Sequence, residues 1–525
     1  MRDFQQPGKS PTFSQNGMCA TSHPLAAQVA IQILVNGGNA MDAAIAGAVL
    51  LGICEPQSTG IGGDCFVLWK RPNCTKIRAL NGSGRAPKAI SASLLRDAGE
   101  KVVPVYSPHA ITIPGAIDAF CHLAENEGRL GLDTLLAPSI YYADNGVPVA
   151  PRVAFDWASS AGSLHRSSKL AYLVNGRVPK PGDIFIIPEQ AEVLRRVAKY
   201  GRDGFYCGEV ADDMVTSLRN LGGSHTHDDF FYNSSTPTDP ILGHYGNTTF
   251  FEHPPNGQGA TAILLLNILK HFELTHLDPF DAERIHIEAE ATKLAYDARN
   301  RFVSDQDYTE RLEHMLSHET ASRLAELINP QCAINLPSAV CEAVHKDTVY
   351  ITVVDRDRMA VSMIYSIFHG FGSGMASDKF KILFQNRGAG FTLKEGHPNE
   401  LAPGKRPMHT IIPAFLQIED QSIIPFGVMG GAYQPNGHAR LISNLIDFEL
   451  DLQLAIDAPR SFTDEGNLLV ERGYSEKVKK KLVNLGHKIL VPKIPIGGAQ
   501  AIKIHTSGIL EGASDPRKDG CALGY

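Results

Sequence analysis

The chain has no apolar run long enough to cross a bilayer. Its longest, Ala40 to Cys54, falls short of the roughly 20 residues a spanning helix needs and contains Asp42. The first ten residues, Met1 to Ser10, lack the apolar core of a secretory signal, so a cytoplasmic location is expected. Positive charge is not in excess: 49 Lys and Arg against 56 Asp and Glu leave a formal charge of -7. A surface of that balance does not neutralise phosphates or anionic lipid, and neither nucleic acid nor membrane is an expected partner. The nine cysteines are odd in number and include no Cys-x-x-Cys pair, which argues against a disulfide framework or a zinc cluster; reduced, mostly buried thiols are expected. No Gly-x-Ser-x-Gly elbow occurs. Gly60-Ile-Gly-Gly63 lacks the strand-to-helix setting of a dinucleotide loop, and no cofactor is expected. Internal repeats and low-complexity tracts are missing too.

What is present is an ordinary globular composition, 43% apolar and 20% charged over 525 residues. The spacing predicts a helix over 24–35, stopped by Asn36-Gly-Gly-Asn39, then a second, buried helix from about Ala40 to Gly52 with Asp42 in its first turn. Mostly helices are expected from there to about residue 345. Among them Asp281 to Tyr296 carries apolar positions 285, 287, 291, 294 and 295 on one stripe. The character changes at Thr348: Thr348-Val-Tyr-Ile-Thr-Val-Val-Asp355 is rich in β-branched residues, and a charged turn then leads into Met359 to Phe368. This predicts a β-hairpin beginning at Thr348. The segment Asn329 to Lys346 before it, with two prolines and short polar breaks, has the composition of an exposed, cuttable linker. Ser224-His-Thr-His-Asp-Asp229 imitates a metal site, but an N-cap at Thr226 with acids in the first helical turn explains it more simply, and no metal is expected.

Several motifs recur in a familiar order. Gly17-Met-Cys-Ala-Thr-Ser-His-Pro24, Gly37-Gly-Asn-Ala-Met-Asp-Ala-Ala44, Glu55-Pro56 and Gly60-Ile-Gly-Gly-Asp64 open the chain. Pro254-Pro-Asn-Gly-Gln-Gly259, the helix from Glu288 to Asp297, Asp347-Thr348, Phe371-Gly-Ser-Gly374, Pro403-Gly-Lys-Arg-Pro407 and Gly430-Gly431 follow. Each alone is a weak signal; together, over nearly the whole chain, they resemble the gamma-glutamyltransferase family. The resemblance implies an α+β fold, the αββα sandwich of the N-terminal-nucleophile (Ntn) hydrolases, with two stacked antiparallel sheets flanked by helices. It also implies a precursor that cuts itself between Asp347 and Thr348 into a large subunit, 1–347, and a small one, 348–525, together forming one domain. A higher homo-oligomer is left open.

The expected chemistry follows from that cut. A threonine hydroxyl within a chain is a poor nucleophile. At a free N-terminus it sits beside its own α-amine, whose ordinary pKa of roughly 7.7 to 8.0 suits a general base. The resemblance assigns Thr348 as nucleophile, Ser366 as a hydroxyl bonded to it, and Gly430 and Gly431 as the backbone that stabilises the oxyanion. It also marks a departure. Gamma-glutamyltransferases hold the glutamate amine with an acidic pair, where this chain reads Ala389-Gly390. What stands at the family's substrate positions is cationic or hydrogen-bonding: Arg85, Arg387, His409 and Thr410, with Tyr433 and Gln434 after the glycine pair. That set suits a small carboxylate without an amine, and it resembles the branch that includes oxamate amidohydrolase. The expected activity is therefore hydrolysis of a small carboxylate-bearing amide, oxamate first. Gamma-glutamyl transfer or glutathione hydrolysis is the alternative within the family, and an uncut, silent metabolite-binding homologue the alternative outside it.

Overall fold

The computed structural model describes residues 5, 8–334, 348–419 and 422–525. Asp347, and with it most of the expected linker, lies outside the described residues.

The N-terminal helices form where the sequence places them. Pro24–Val35 ends at Asn36 ahead of Gly37, which takes a positive φ of 98°. Ala40–Cys54 opens on a reciprocal cap, in which the Asn39 side chain accepts from the Asp42 N–H and the Asp42 carboxylate accepts from the Asn39 N–H. Every residue of this second helix is buried. Its small residues are the reason it can be: a Cβ added to Gly47 would meet Cδ1 of Ile351 at 2.5 Å, so the helix backbone rests directly on a side chain of the strand below.

Two seven-stranded sheets make the centre. One runs in the order Cys521–Gly524, Met18–Thr21, Val349–Val354, Ala360–Ser366, Asp64–Lys70, Ile77–Gly82 and Thr236–Thr238. The other runs Thr12–Ser14, Leu510–Ser514, Gly498–Ile504, Ile423–Met429, Ala414–Ile418, Thr248–Glu252 and Ile241–Tyr245. All pairings in both are antiparallel. The expected hairpin is present, with Val349–Val354 paired to Ala360–Ser366 across the Asp355–Arg358 turn. Period-two alternation divides its side chains. Val349, Ile351 and Val353 join the core beneath the N-terminal helices, whereas Tyr350 and Val354 pack with Met429 and Phe415 of the opposite sheet. The outer face of the second sheet is covered by the helices Gly259–Leu269, Ala282–Phe302 and Gln434–Ile446. Helix, sheet, sheet, helix is the resulting order of layers.

Two expectations need correction and one is incomplete. The stretch after residue 52 is mostly helical, as expected, but it also holds strands at Asp64–Lys70, Ile77–Gly82, Ile241–Tyr245 and Thr248–Glu252. Asp64-Cys-Phe-Val-Leu-Trp-Lys70 is buried on both faces but for its last residue, so it shows no alternation for a period-two reading to find. The helix Ala282–Phe302 is buried on nearly all sides and not on one stripe, with Arg284, His286, Glu288, Glu290 and Arg299 enclosed among its apolar residues. Of the eight described cysteines, all free, four are buried and Cys332 is exposed, so fewer are enclosed than expected. The cap at Thr226 is as read: its hydroxyl accepts from the Asp229 N–H and Asp229 accepts in return from the Thr226 N–H. Among the described residues no helix is long and apolar enough to cross a membrane.

Candidate active site

The sheet register assembles the site. Val349 lies opposite Tyr365, so the next position outward sets Thr348 opposite Ser366, and Ser366 is itself paired with Asp64 on the adjoining strand. Directly opposed residues of an antiparallel pair share a face. Thr348, Ser366 and Asp64 thus form one row across three strands at the end of the first sheet. All three are buried, Ser366 and Asp64 completely. The Thr348 hydroxyl donates to Ser366 Oγ at 3.3 Å, a long bond, and Ser366 Oγ also accepts from the Phe368 N–H at 2.9 Å.

A guanidinium stands over this row. Arg387, fully buried, donates from Nη2 to Ser366 Oγ at 3.3 Å and from Nη1 to Thr410 Oγ1 at 2.9 Å, with its Cζ 4.0 Å from the centre of the Phe368 ring. Its Nε is buried and has no hydrogen-bond partner among the described residues. Burial lowers the Arg387 pKa to about 9 while the nearby Asp64 pulls it back up. Phe368 is held at φ 82°, a conformation that costs a residue other than glycine about 1–3 kcal/mol. That strain sets the ring under the guanidinium and the N–H against Ser366.

Asp64 anchors the row. Oδ1 accepts from the Gly84 N–H and from Gln385 Nε2, both at 2.9 Å, and Oδ2 accepts from His409 Nε2 at 3.0 Å. Burial raises its pKa to about 6, against the pull of Arg387, Gln385 and the Gly84 and Gly115 N–H groups. The tautomer of His409 follows from its neighbours: Nδ1 accepts from the Ile411 N–H at 3.3 Å, so Nε2 carries the proton given to Asp64. Burial, with Arg387, His253 and Arg406 close by, holds His409 well below the ordinary histidine range, and the ring is neutral.

The glycine pair closes the other side. Gly430 and Gly431 both take positive φ, 119° and 56°, at the end of the strand Ile423–Met429, and a Cβ on Gly430 would meet the Gly497 backbone at 2.9 Å. Gln258 ties this turn to the rest, donating to Thr410 O at 2.6 Å and Gly431 O at 3.0 Å while its own oxygen accepts from Arg299 at 2.8 Å. Gln434 Oε1 accepts from the Ile412 N–H at 2.8 Å.

The structure therefore joins Thr348, Ser366, Arg387 and Thr410 directly, His409 through Asp64, and Gly430, Gly431 and Gln434 through backbone links. It does not bring Arg85 onto the row: Arg85 reaches Gly404 O at 3.1 Å and Asp305 at 3.6 Å, with 36% of its side chain exposed. Nor does Tyr433 point there. Its ring packs on Phe462 with Arg460 above it, in the core on the helical side of the second sheet. Sequence reasoning missed Asp64, Gln258 and Gln385. The first two lie inside the Gly60–Asp64 and Pro254–Gly259 motifs, which carry the resemblance without giving either residue a role, and Gln385 stands two residues before Arg387 with nothing local to mark it.

A family model described as gamma-glutamyltranspeptidase matches residues 26–525. The chain belongs to the gamma-glutamyltranspeptidase family. It is 34% identical to the glutathione hydrolase-like YwrD proenzyme of Bacillus subtilis, over 97% of this chain and 98% of that one. It is 33% identical to the oxamate amidohydrolase proenzyme of Klebsiella pneumoniae, over 98% of this chain and 100% of that one. Among solved structures, a cephalosporin acylase from Bacillus halodurans superposes with a TM-score of 0.91 at 36% identity, covering 100% of this chain and 99% of the other. The two stacked antiparallel sheets between helical layers are the Ntn-hydrolase sandwich, and the chain is an amidohydrolase of the gamma-glutamyltranspeptidase family.

Proposed function

We propose that this chain is a precursor that cuts itself between Asp347 and Thr348, and that the processed enzyme hydrolyses the amide of a small carboxylate-bearing substrate, oxamate first. In the cut, the Thr348 hydroxyl attacks the Asp347 carbonyl and the chain shifts from nitrogen to oxygen. Water then hydrolyses the resulting ester, which frees the 348–525 subunit with an amine at its N-terminus. In turnover that amine takes the hydroxyl proton while Oγ1 attacks the substrate carbonyl. Ammonia leaves with the proton, and water releases oxalate from the acyl ester by the reverse transfer. Gly430 and Gly431 are the backbone N–H donors this reading assigns to the oxyanion; losing one such donor costs roughly 3–4 kcal/mol of barrier.

The observation that carries the substrate class is Arg387: a buried fork beside the hydroxyl that Thr348 touches, with one N–H still unpaired. A carboxylate of oxamate size matches that donor set. An ammonium does not, because Asp64, the acid of the row, already spends its oxygens on Gly84, Gln385 and His409. The oxamate amidohydrolase of Klebsiella pneumoniae among the relatives supports the same reading. The test compares ammonia release from oxamate with nitroaniline release from a gamma-glutamyl anilide. Turnover of oxamate with little on the anilide is expected; the opposite pattern makes the protein a gamma-glutamyl hydrolase.

Two groups then govern the pH profile. The Thr348 amine must be free, so kcat/KM falls with one proton below roughly pH 7.7 to 8.0. Asp64, raised to about 6, takes up a second proton below that value and can no longer accept from His409, Gln385 and Gly84 together. The logarithmic slope is therefore expected to steepen from one to two near pH 6, and Asp64→Asn to return it to one at a lower rate. A slope of two kept in Asp64→Asn removes Asp64 from the catalytic ionisation.

A further inference from the structure

Away from the active site, on the far side of the second sheet, three potential ligands converge in the interior. His286 and Glu290, one turn apart on the helix Ala282–Phe302, share a face, and His487 follows the helix Glu476–Asn484. All three are buried, and one ligand atom from each lies within 4.8 Å of the others. The two rings meet nitrogen to nitrogen, His286 Nδ1 to His487 Nε2, at 2.8 Å. The other nitrogen of His286 bonds Asn329 O at 2.8 Å, the outer contact that fixes the tautomer of a metal-bound imidazole and leaves Nδ1 with its lone pair turned inward. Glu290 now accepts from Lys293 Nζ at 2.6 Å and from the Ile334 N–H at 2.5 Å, so its charge is balanced by one ammonium.

We propose that His286 Nδ1, His487 Nε2 and a carboxylate oxygen of Glu290 form a binding site for a zinc-class divalent ion, with water as the fourth ligand. Two imidazoles and a carboxylate are the donor set that borderline transition metals prefer over calcium or magnesium. Binding exchanges cations: the dication takes over Glu290 from Lys293. The site also bridges the chain. His286 and Glu290 precede Thr348 and His487 follows it, so in the processed enzyme, and resting on the cleavage reading for this consequence alone, the ion ties the large subunit to the small one. The same residues hold Asn329 and Ile334, the last turn before residue 335.

The test uses full-length protein stripped with a chelator and titrated with zinc sulfate against a chromophoric competitor, with bound zinc counted by mass spectrometry. About one zinc per chain is expected. It should be retained in the uncut Thr348→Ala protein and bound at least tenfold more weakly in Glu290→Gln and His487→Ala. Lys293→Gln should bind more tightly than the parent, a change that a merely structural lysine would not produce. Cobalt in place of zinc should give the visible absorption of a tetrahedral nitrogen and oxygen site. Zinc below a tenth of an equivalent, or the same zinc content in His487→Ala as in the parent, overturns the proposal and leaves a hydrogen-bonded pair of rings only. The Thr348→Ala arm separates the two readings, since a failed cleavage hypothesis leaves the zinc count unchanged.

Discussion

Thr348→Ala is expected to give a folded chain that stays in one piece near 57 kDa on denaturing gels and hydrolyses no substrate. In the proposed mechanism, removing the hydroxyl takes away both the group that opens the 347–348 bond and the group that carries the acyl ester. Deleting a catalytic nucleophile of this kind costs on the order of 10⁴- to 10⁶-fold in rate. Stability should change little, because among the described residues the Thr348 side chain makes one long hydrogen bond, to Ser366, and the strand pairing starts at Val349. Thr348→Ser, which keeps the hydroxyl, should still be cut. Two fragments from Thr348→Ala at the same junction would remove Thr348 from the processing step.

Arg387→Ala should lower kcat/KM for oxamate by about 10²–10³, mostly through KM, with the chain still cut. The magnitude follows from losing a charge-assisted pair in a buried site, about 2–5 kcal/mol when the partner charge is left alone. Because Arg387 is fully buried beside Asp64, the alanine protein also loses packing. Arg387→Lys is the cleaner variant. It keeps a cation but not the planar fork that reaches Ser366 and Thr410 together, so it should still lose at least tenfold. Equal KM values for the parent and both variants would mean that the substrate carboxylate is held elsewhere, with Arg85 the next residue to replace.

The hairpin that follows Thr348 was legible in the sequence because a local pattern changes there, whereas the roles proposed for Thr348 and Ser366 came from the family resemblance alone. The β-branched run begins at Thr348, the Asp355–Arg358 turn fixes the hairpin, and the register of that hairpin alone sets Thr348 against Ser366. Asp64 escaped because its strand is buried on both faces and reads as an apolar run rather than as an alternating one. Arg85 and Arg387 look alike in sequence, each a single arginine near glycines. What separates them is tertiary: Arg387 is closed in by Phe368, Thr410 and Ser366, while Arg85 turns out to Asp305. Tyr433 follows the glycine pair so closely that family position suggested a site residue, but the turn through Gly430 and Gly431 carries its ring into the core on the other side of the sheet. The His286, Glu290 and His487 cluster had no sequence signature at all, since its third member lies some two hundred positions beyond the helix that bears the others.

The central claim is that reactivity at Thr348 depends on a free amine at that residue. Intact-mass and N-terminal analysis of purified, active protein tests it most directly. The account predicts two fragments, with every active molecule containing a 348–525 chain that begins with an unblocked Thr348. Full activity in protein whose backbone runs unbroken from 347 to 348, or a small fragment that starts at any other residue, would contradict it.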